Sequence, residues 1–451
     1  MANIDQRSTV VVGAGLAGLV AANEWRDAGE PVIVIERDPY VGGMARSIRH
    51  DGFTFDLGPH FVFAKTRWHD LLFEPHEFVQ FAPKIWMVID DTWYRYPFSL
   101  GSIFKVPLRV QLDFLRTRLF GSRGARYNPR SFAGLMSGIW GSGLFEFFFR
   151  PYLTRKMGNT DLAESLHSDW WAMTEHDRGI VSRAPVQPAV KGSGLRRIGS
   201  TLARAYRGVA YAFRPTLHDY PRGGFGTFAE RLSDRFIANG GDLRLSTGID
   251  EIVVKQNRVV SVIADGVAVP VDRLIWTGSP VQLANLLGIE PLTLPTLHAI
   301  IYFVEFDRAY PRPGTEVRPI FDGAAFYRSY FLEMISESLV PKGRSGLVAE
   351  SSTMSLDDLQ HASETYENVI DTCVRLGLCP DRSAITHVSH VAIPHCYPIY
   401  PLDYEEQLRA FYERLARFEN IILAGRNARF QYVNSHQAML QGMRTREDRL
   451  F

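Results

Sequence analysis

Three cysteines in 451 residues are too few and too unevenly placed for a disulfide framework. The spacing of Cys373 and Cys379 matches no zinc site, and Cys396 stands apart; all three are expected as small core residues of a cytoplasmic protein. The 13 histidines show no ligand spacing, so no metal is expected. A GxSxG elbow is missing, which removes the usual hydrolase signal. Net charge is only +1, leaving no basic field for nucleic acid or an anionic membrane. No apolar run approaches the roughly 20 residues of a spanning helix, and even Leu144-Phe145-Glu146-Phe147-Phe148-Phe149 is broken by charge. The first apolar strand starts by Val10, so no cleaved leader is expected. What is left is a globular chain, 46% hydrophobic and 22% charged, long enough for two domains.

What is present begins at once. Val10-Val11-Val12-Gly13-Ala14-Gly15-Leu16-Ala17-Gly18 leads into an apolar helix, and Val32-Ile33-Val34-Ile35 ends at Glu36. Strand, glycine turn, helix, strand and acid, in that order, make a unit that holds a dinucleotide. Gly13 permits the tight turn, Gly15 lets backbone approach a pyrophosphate, and Gly18 lets the helix pack close to the sheet. The helix N-terminus supplies free N–H groups and a positive dipole end to the phosphates. Glu36 stands where an acid accepts from ribose hydroxyls and repels a 2′-phosphate.

A second glycine pair follows in Arg37-Asp38-Pro39-Tyr40-Val41-Gly42-Gly43-Met44-Ala45-Arg46, and then Phe53-Thr54-Phe55-Asp56-Leu57-Gly58-Pro59-His60. Near the C-terminus, Asn420-Ile421-Ile422-Leu423-Ala424-Gly425-Arg426 reads as a strand ending in Gly-Arg, and Tyr432-Val433-Asn434 precedes a helix. These segments resemble the large FAD family of amine oxidases, protoporphyrinogen oxidases, phytoene desaturases and UDP-galactopyranose mutases. The resemblance implies an α/β fold: a discontinuous Rossmann-like FAD-binding domain (1–85, 220–285 and 415–451) with a mixed α+β substrate domain (86–219 and 286–414). It implies FAD as the cofactor, with Arg37, Gly43, Met44, Ala45 and Arg46 along the pyrophosphate and ribityl channel. It further implies Gly58, Pro59 and His60 near the ring, and Gly425, Arg426, Tyr432, Val433 and Asn434 around the flavin. Two positions depart from the pattern: Ala428 replaces a glycine and His436-Gln437 replaces an acid.

His60 is the sharpest candidate for ring contact, and an imidazole that titrates near neutral pH would carry protons. Cys396-Tyr397-Pro398-Ile399-Tyr400 resembles the family segment whose tyrosines reach the flavin, making Tyr397 and Tyr400 catalytic candidates. Tyr96-Pro97-Phe98 and Pro151-Tyr152-Leu153-Thr154-Arg155-Lys156-Met157-Gly158 resemble mutase segments and offer Tyr96 and Tyr152 to substrate. Met157 replaces a tryptophan there, which weakens the case for a UDP-sugar. Arg183, Arg222 and Arg328 are candidates for an anionic substrate such as a nucleotide-sugar, since a guanidinium binds phosphate or carboxylate bidentately, and Arg328 is a catalytic candidate as well. The expected function is hydride removal from a small molecule. A reduced-flavin sugar mutase and a non-catalytic FAD binder are the alternatives.

Overall fold

The β-branched run Ser8–Val12 has nearly every side chain buried, the mark of a strand covered on both faces of a parallel sheet. It pairs in parallel with Val32–Ile35 on one side and with the end of Val267–Trp276 on the other. Asp242–Arg244 extends the sheet beyond Val32–Ile35, and Ile421–Leu423 joins beside Val267–Trp276, also in parallel. The first half of Val267–Trp276 instead pairs antiparallel with Arg258–Ala264, which pairs with Ile249–Lys255. One seven-stranded sheet thus draws on three distant parts of the chain. The computed structural model describes residues 8–96, 100–120, 127–170 and 217–447.

The helix Leu16–Asp27 covers this sheet, and two glycines let it do so. Gly13 has φ +102°, and a Cβ there would lie 2.2 Å from Thr277 Oγ1. A Cβ on Gly18 would lie 2.0 Å from the Gly13 carbonyl oxygen. Neither position has room for any other residue. The final helix, Ser435–Arg444, crosses Leu16–Asp27 just as closely, with Gly442 against the Ala17 carbonyl.

A second seven-stranded sheet carries Ile385–Pro398, Thr296–Phe306, Ser345–Thr353, Arg328–Phe331, Glu316–Ile320, Ile85–Ile89 and Thr92–Tyr96 in that order. Strand Thr296–Phe306 is buried on both faces. Leu297, Ala299, Ile301 and Phe303 enter the main core, while Ile300, Tyr302, Val304 and Phe306 enter a second one. That split is the period-two alternation of a strand. Helices from Leu100–Ile103 to Arg150–Lys156 follow the Ile85–Tyr96 hairpin.

Candidate cofactor and active site

Five segments converge on one cavity. Met44 comes from the turn after Gly42-Gly43, and Leu57 to Phe63 from the loop after strand Phe53–Asp56. Arg328 comes from its strand, Tyr397 from the end of Ile385–Pro398, and Arg426, Tyr432, Asn434 and Ser435 from the C-terminal loop and helix start.

The dinucleotide cradle is built from backbone. Gly15 is the N-cap of Leu16–Asp27, and a Cβ there would meet nothing closer than the Gly42 carbonyl at 4.0 Å. The two glycine turns face each other, with Gly42 N donating to Ala14 O at 2.8 Å and Gly43 opposite the Gly15 Cα. Glu36 Oε2 accepts from Ala14 N at 2.7 Å and Oε1 from Asp38 N at 2.9 Å, fixing the carboxylate beside the turn. Leu16, Ala17 and Ala45 are buried behind it. Arg46 lays its guanidinium over Tyr40, 3.8 Å from the ring centre, and its buried Nε has no partner among the described residues. An open glycine edge, free helix N–H groups and an unpartnered guanidinium nitrogen are the donor set a pyrophosphate needs. Arg37 is exposed and does not line the cavity.

At the far end, Arg426 donates from Nε and Nη2 to the Val433 carbonyl at 3.1 and 2.7 Å, closing the loop Arg426 to Val433. Phe430 takes a left-handed conformation in that loop, with φ +47°. Gln437, at one of the departing positions, accepts from Asn434 N at 2.8 Å in a capping box, so the Ser435–Arg444 helix starts at the cavity wall.

His60 stacks on Phe225 at 5.0 Å, and its buried Nδ1 has no hydrogen-bond partner among the described residues. Burial, with Arg426 and Arg328 nearby, lowers its pKa to about 4. The expectation of an imidazole titrating near neutrality is therefore corrected: His60 is neutral at pH 7 in this environment. Gly58 is held with φ +117°, its carbonyl accepting from Tyr330 Oη at 2.9 Å, and Pro59 lines the wall.

Beneath the cavity lies a buried group that the sequence reading missed. Glu350 Oε2 accepts from Arg328 Nε at 2.6 Å, and its Oε1 accepts from Tyr397 Oη at 2.7 Å and from Tyr327 Oη. Burial would raise the Glu350 pKa, but Arg328, the two phenols and Lys156 reverse this and hold it below the ordinary value. Burial and the Glu350 charge push the Tyr397 phenol well above its ordinary pKa. Lys156 Nζ donates to Tyr432 Oη at 3.0 Å amid the rings of Trp170, Tyr397, Tyr432 and Tyr327. One signal for Glu350 was present: a lone acid in the apolar run Gly346-Leu347-Val348-Ala349-Glu350 must be paired if buried.

Other expectations change. Tyr400 donates to Phe430 O at 3.0 Å and accepts from Tyr432 N at 2.8 Å, so its hydroxyl is engaged by backbone, and it does not line the cavity. Arg222 is exposed, with Nε on the His76 carbonyl at 2.9 Å, and does not line the cavity. Tyr96 and Tyr152 are buried against the Arg318 guanidinium at 5.2 and 5.1 Å and pack behind the cavity. Arg183, Pro97 and Phe98 lie outside the described residues. The three cysteines are free and buried. The histidines are not all scattered in space: ligand atoms of His50, Glu305 and His387 lie within 4.8 Å of one another. Glu305 there already takes His50 Nδ1 at 2.5 Å and faces Arg344 Nη2 at 3.5 Å, so its charge is met without an ion.

Comparisons with known proteins agree with this geometry. The family described as the NAD(P)-binding Rossmann-like domain matches residues 11–74. A phytoene dehydrogenase of Streptomyces griseus is 26% identical over 318 residues, 67% of this chain. The chain spans about three fifths of that relative, 61% of its length. A solved structure of reduced UDP-galactopyranose mutase shares the fold with a TM-score of 0.77 at 20% identity, covering 98% of this chain and 93% of its own. Putrescine oxidase with putrescine bound gives a TM-score of 0.62 at 17% identity, covering 98% of both chains. The dinucleotide cradle, the second glycine turn and the C-terminal loop thus stand on a fold shared with the mutase and the putrescine oxidase, in a chain similar in sequence to the phytoene dehydrogenase.

Proposed function

We propose that the protein is an oxidoreductase that removes a hydride from an uncharged small molecule. Bound FAD supplies the two-electron acceptor at its N5, re-oxidised by O₂ or another carrier. The single observation that carries the substrate class is the neutralisation of Arg328 by Glu350 at 2.6 Å. A buried guanidinium already paired with a carboxylate offers little net charge to a phosphate. Met44, Leu57, Pro59, Phe61 and Phe63 add apolar side chains to a wall that also carries His60, Tyr397, Arg426, Tyr432, Asn434 and Ser435. Similarity to a relative named as a phytoene dehydrogenase supports an uncharged substrate.

Within this reading the chain's own groups have distinct tasks. His60 presents an unpartnered neutral nitrogen that can accept a hydrogen bond from a substrate group. Arg426 holds the loop that shapes the flavin side, and the Ser435–Arg444 helix places its positive end there. Glu350 fixes Arg328 and Tyr397 as one unit. Similarity to the mutase supports a second reading, in which a nucleotide-sugar enters and no net oxidation occurs. Anaerobic incubation with carotenoid precursors, amines and UDP-sugars separates the two. Bleaching of the flavin absorbance by a substrate supports oxidation; turnover of a UDP-sugar only after dithionite reduction supports the mutase and rejects the primary reading.

A further inference from the structure

Between the Ile85–Tyr96 hairpin and the main helical cluster, the chain exposes apolar side chains in a regular row. Phe104 is 75% exposed, Leu108 67%, Leu112 58% and Leu115 52%. Leu108, Leu112 and Leu115 belong to one helix, Leu108–Phe120, at spacings of one turn, and Phe104 continues the row in the preceding turn. The opposite face of the helix is fixed inward. Val110 is buried, Phe114 packs on the core, and Asp113 Oδ2 accepts from Gly143 N at 2.7 Å. Among the described residues, the exposed row is therefore the face left uncovered. Four large apolar side chains in line are a surface that water does not favour, unlike single exposed leucines.

The charges beside the row have one sign. Arg109 and Arg116 are exposed, and at about 100° per residue they fall along one flank of the apolar stripe; Lys105, in the turn before the helix, is exposed as well. None has an acidic partner among the described residues; Lys105 Nζ reaches only the Trp93 carbonyl, at 3.3 Å. The only acid of the helix, Asp113, is the one turned inward. An apolar stripe with a basic flank is the pattern of a helix lying in the interface of an anionic bilayer, leucines among the acyl chains and cations at the headgroups. A second copy of the chain is a poorer occupant. A two-fold contact would set these cations against themselves with no acid to answer them.

We infer that the Phe104–Leu115 stripe is a peripheral docking surface for an anionic lipid membrane. No helix among the described residues is long and apolar enough to cross a membrane, so the contact is a surface one. The net charge of +1 supplies no long-range attraction, which makes binding local, reversible and salt-sensitive. None of the stripe residues lines the cofactor cavity, so the inference stands apart from the reaction proposed above.

The test uses the full-length FAD-loaded protein, sedimented with vesicles of phosphatidylcholine alone or mixed with phosphatidylglycerol. Wild type should partition onto the mixed vesicles and release at high salt. The double variant Leu112→Glu/Leu115→Glu should lose about tenfold or more of that partitioning, and Arg109→Glu/Arg116→Glu should lose the preference for phosphatidylglycerol. All substitutions are at exposed positions, so flavin content and thermal unfolding should stay at wild-type values. Equal partitioning of wild type and the leucine variant overturns the inference. So does a wild-type dimer in sedimentation velocity that becomes monomeric on Leu112→Glu/Leu115→Glu, which would assign the stripe to a second copy.

Discussion

Arg328 and Glu350 stand directly opposite each other on neighbouring antiparallel strands, and Arg328 Nε donates to Glu350 Oε2 at 2.6 Å with both side chains buried. Register alone delivers this pair: cross-strand partners project to the same face of a sheet. Removing one partner leaves a charge stranded out of water. Glu350→Ala should therefore destabilise the protein by about 3–5 kcal/mol, measured by denaturant unfolding. Arg328→Met/Glu350→Leu should recover much of that loss, and a double-mutant cycle should show strong coupling. Additive effects would mean the two charges are solvated independently.

Gly15→Val separates cofactor binding from folding. Gly15 has φ −76° and open space beside it, so the chain can accept a side chain there. The valine would occupy the volume that a pyrophosphate needs. The variant should fold with near wild-type stability and retain little FAD, read by absorbance after gel filtration. Wild-type occupancy would remove this turn from the cofactor site.

Arg426→Ala should loosen the loop that ends at Asn434. The guanidinium makes two hydrogen bonds to the Val433 carbonyl and lies 5.4 and 5.3 Å from the rings of Tyr397 and Tyr432. Losing a charged hydrogen bond costs about 1.5–3 kcal/mol. FAD affinity should fall and the flavin midpoint potential should shift. Both can be followed in one spectroelectrochemical titration, and unchanged values would confine Arg426 to a structural role.

Two buried groups should give the FAD-free protein an unusual pH response. Burial raises the Asp56 pKa to about 6, partly offset by its hydrogen bonds from Ser47, Tyr220 and Phe225. The folded state then holds a proton that the unfolded chain releases, so this contribution falls as pH rises from about 4 to 6. Burial lowers the His60 pKa from 6.5 to about 4, so its contribution rises with pH across nearly the same window. The two slopes oppose and nearly cancel. His60→Gln removes the rising one, so its Tm should decline from pH 4 to 6 relative to wild type. Parallel Tm profiles for the two proteins would show that His60 is solvated.

The sequence by itself determined the dinucleotide unit, the second glycine pair that follows it and the final Gly-Arg strand. Each rests on local constraints: side-chain period, β-branched runs, and glycines forced by contacts within a few residues or by one tight turn. Resemblance also placed His60, Tyr397 and Arg426 near the flavin, guanidinium chemistry offered Arg328 to substrate, and the folded chain brings all four to one cavity. What only the tertiary structure decided is how their charges and lone pairs are spent. Glu350 finds Arg328 on the strand paired with its own and Tyr397 across the intervening strand Thr296–Phe306. The Tyr400 hydroxyl is taken by a distant backbone, and Arg222 turns outward onto His76. His50 meets Glu305 only because the Ser47–Asp56 hairpin lies against a strand some 250 residues later, with |i−j| of 255. Periodicity fixes which face a residue occupies. Which partner waits on that face depends on strand order and register, set by the packing of the whole chain, and that partner decides whether a buried group is charged, neutral or free to react.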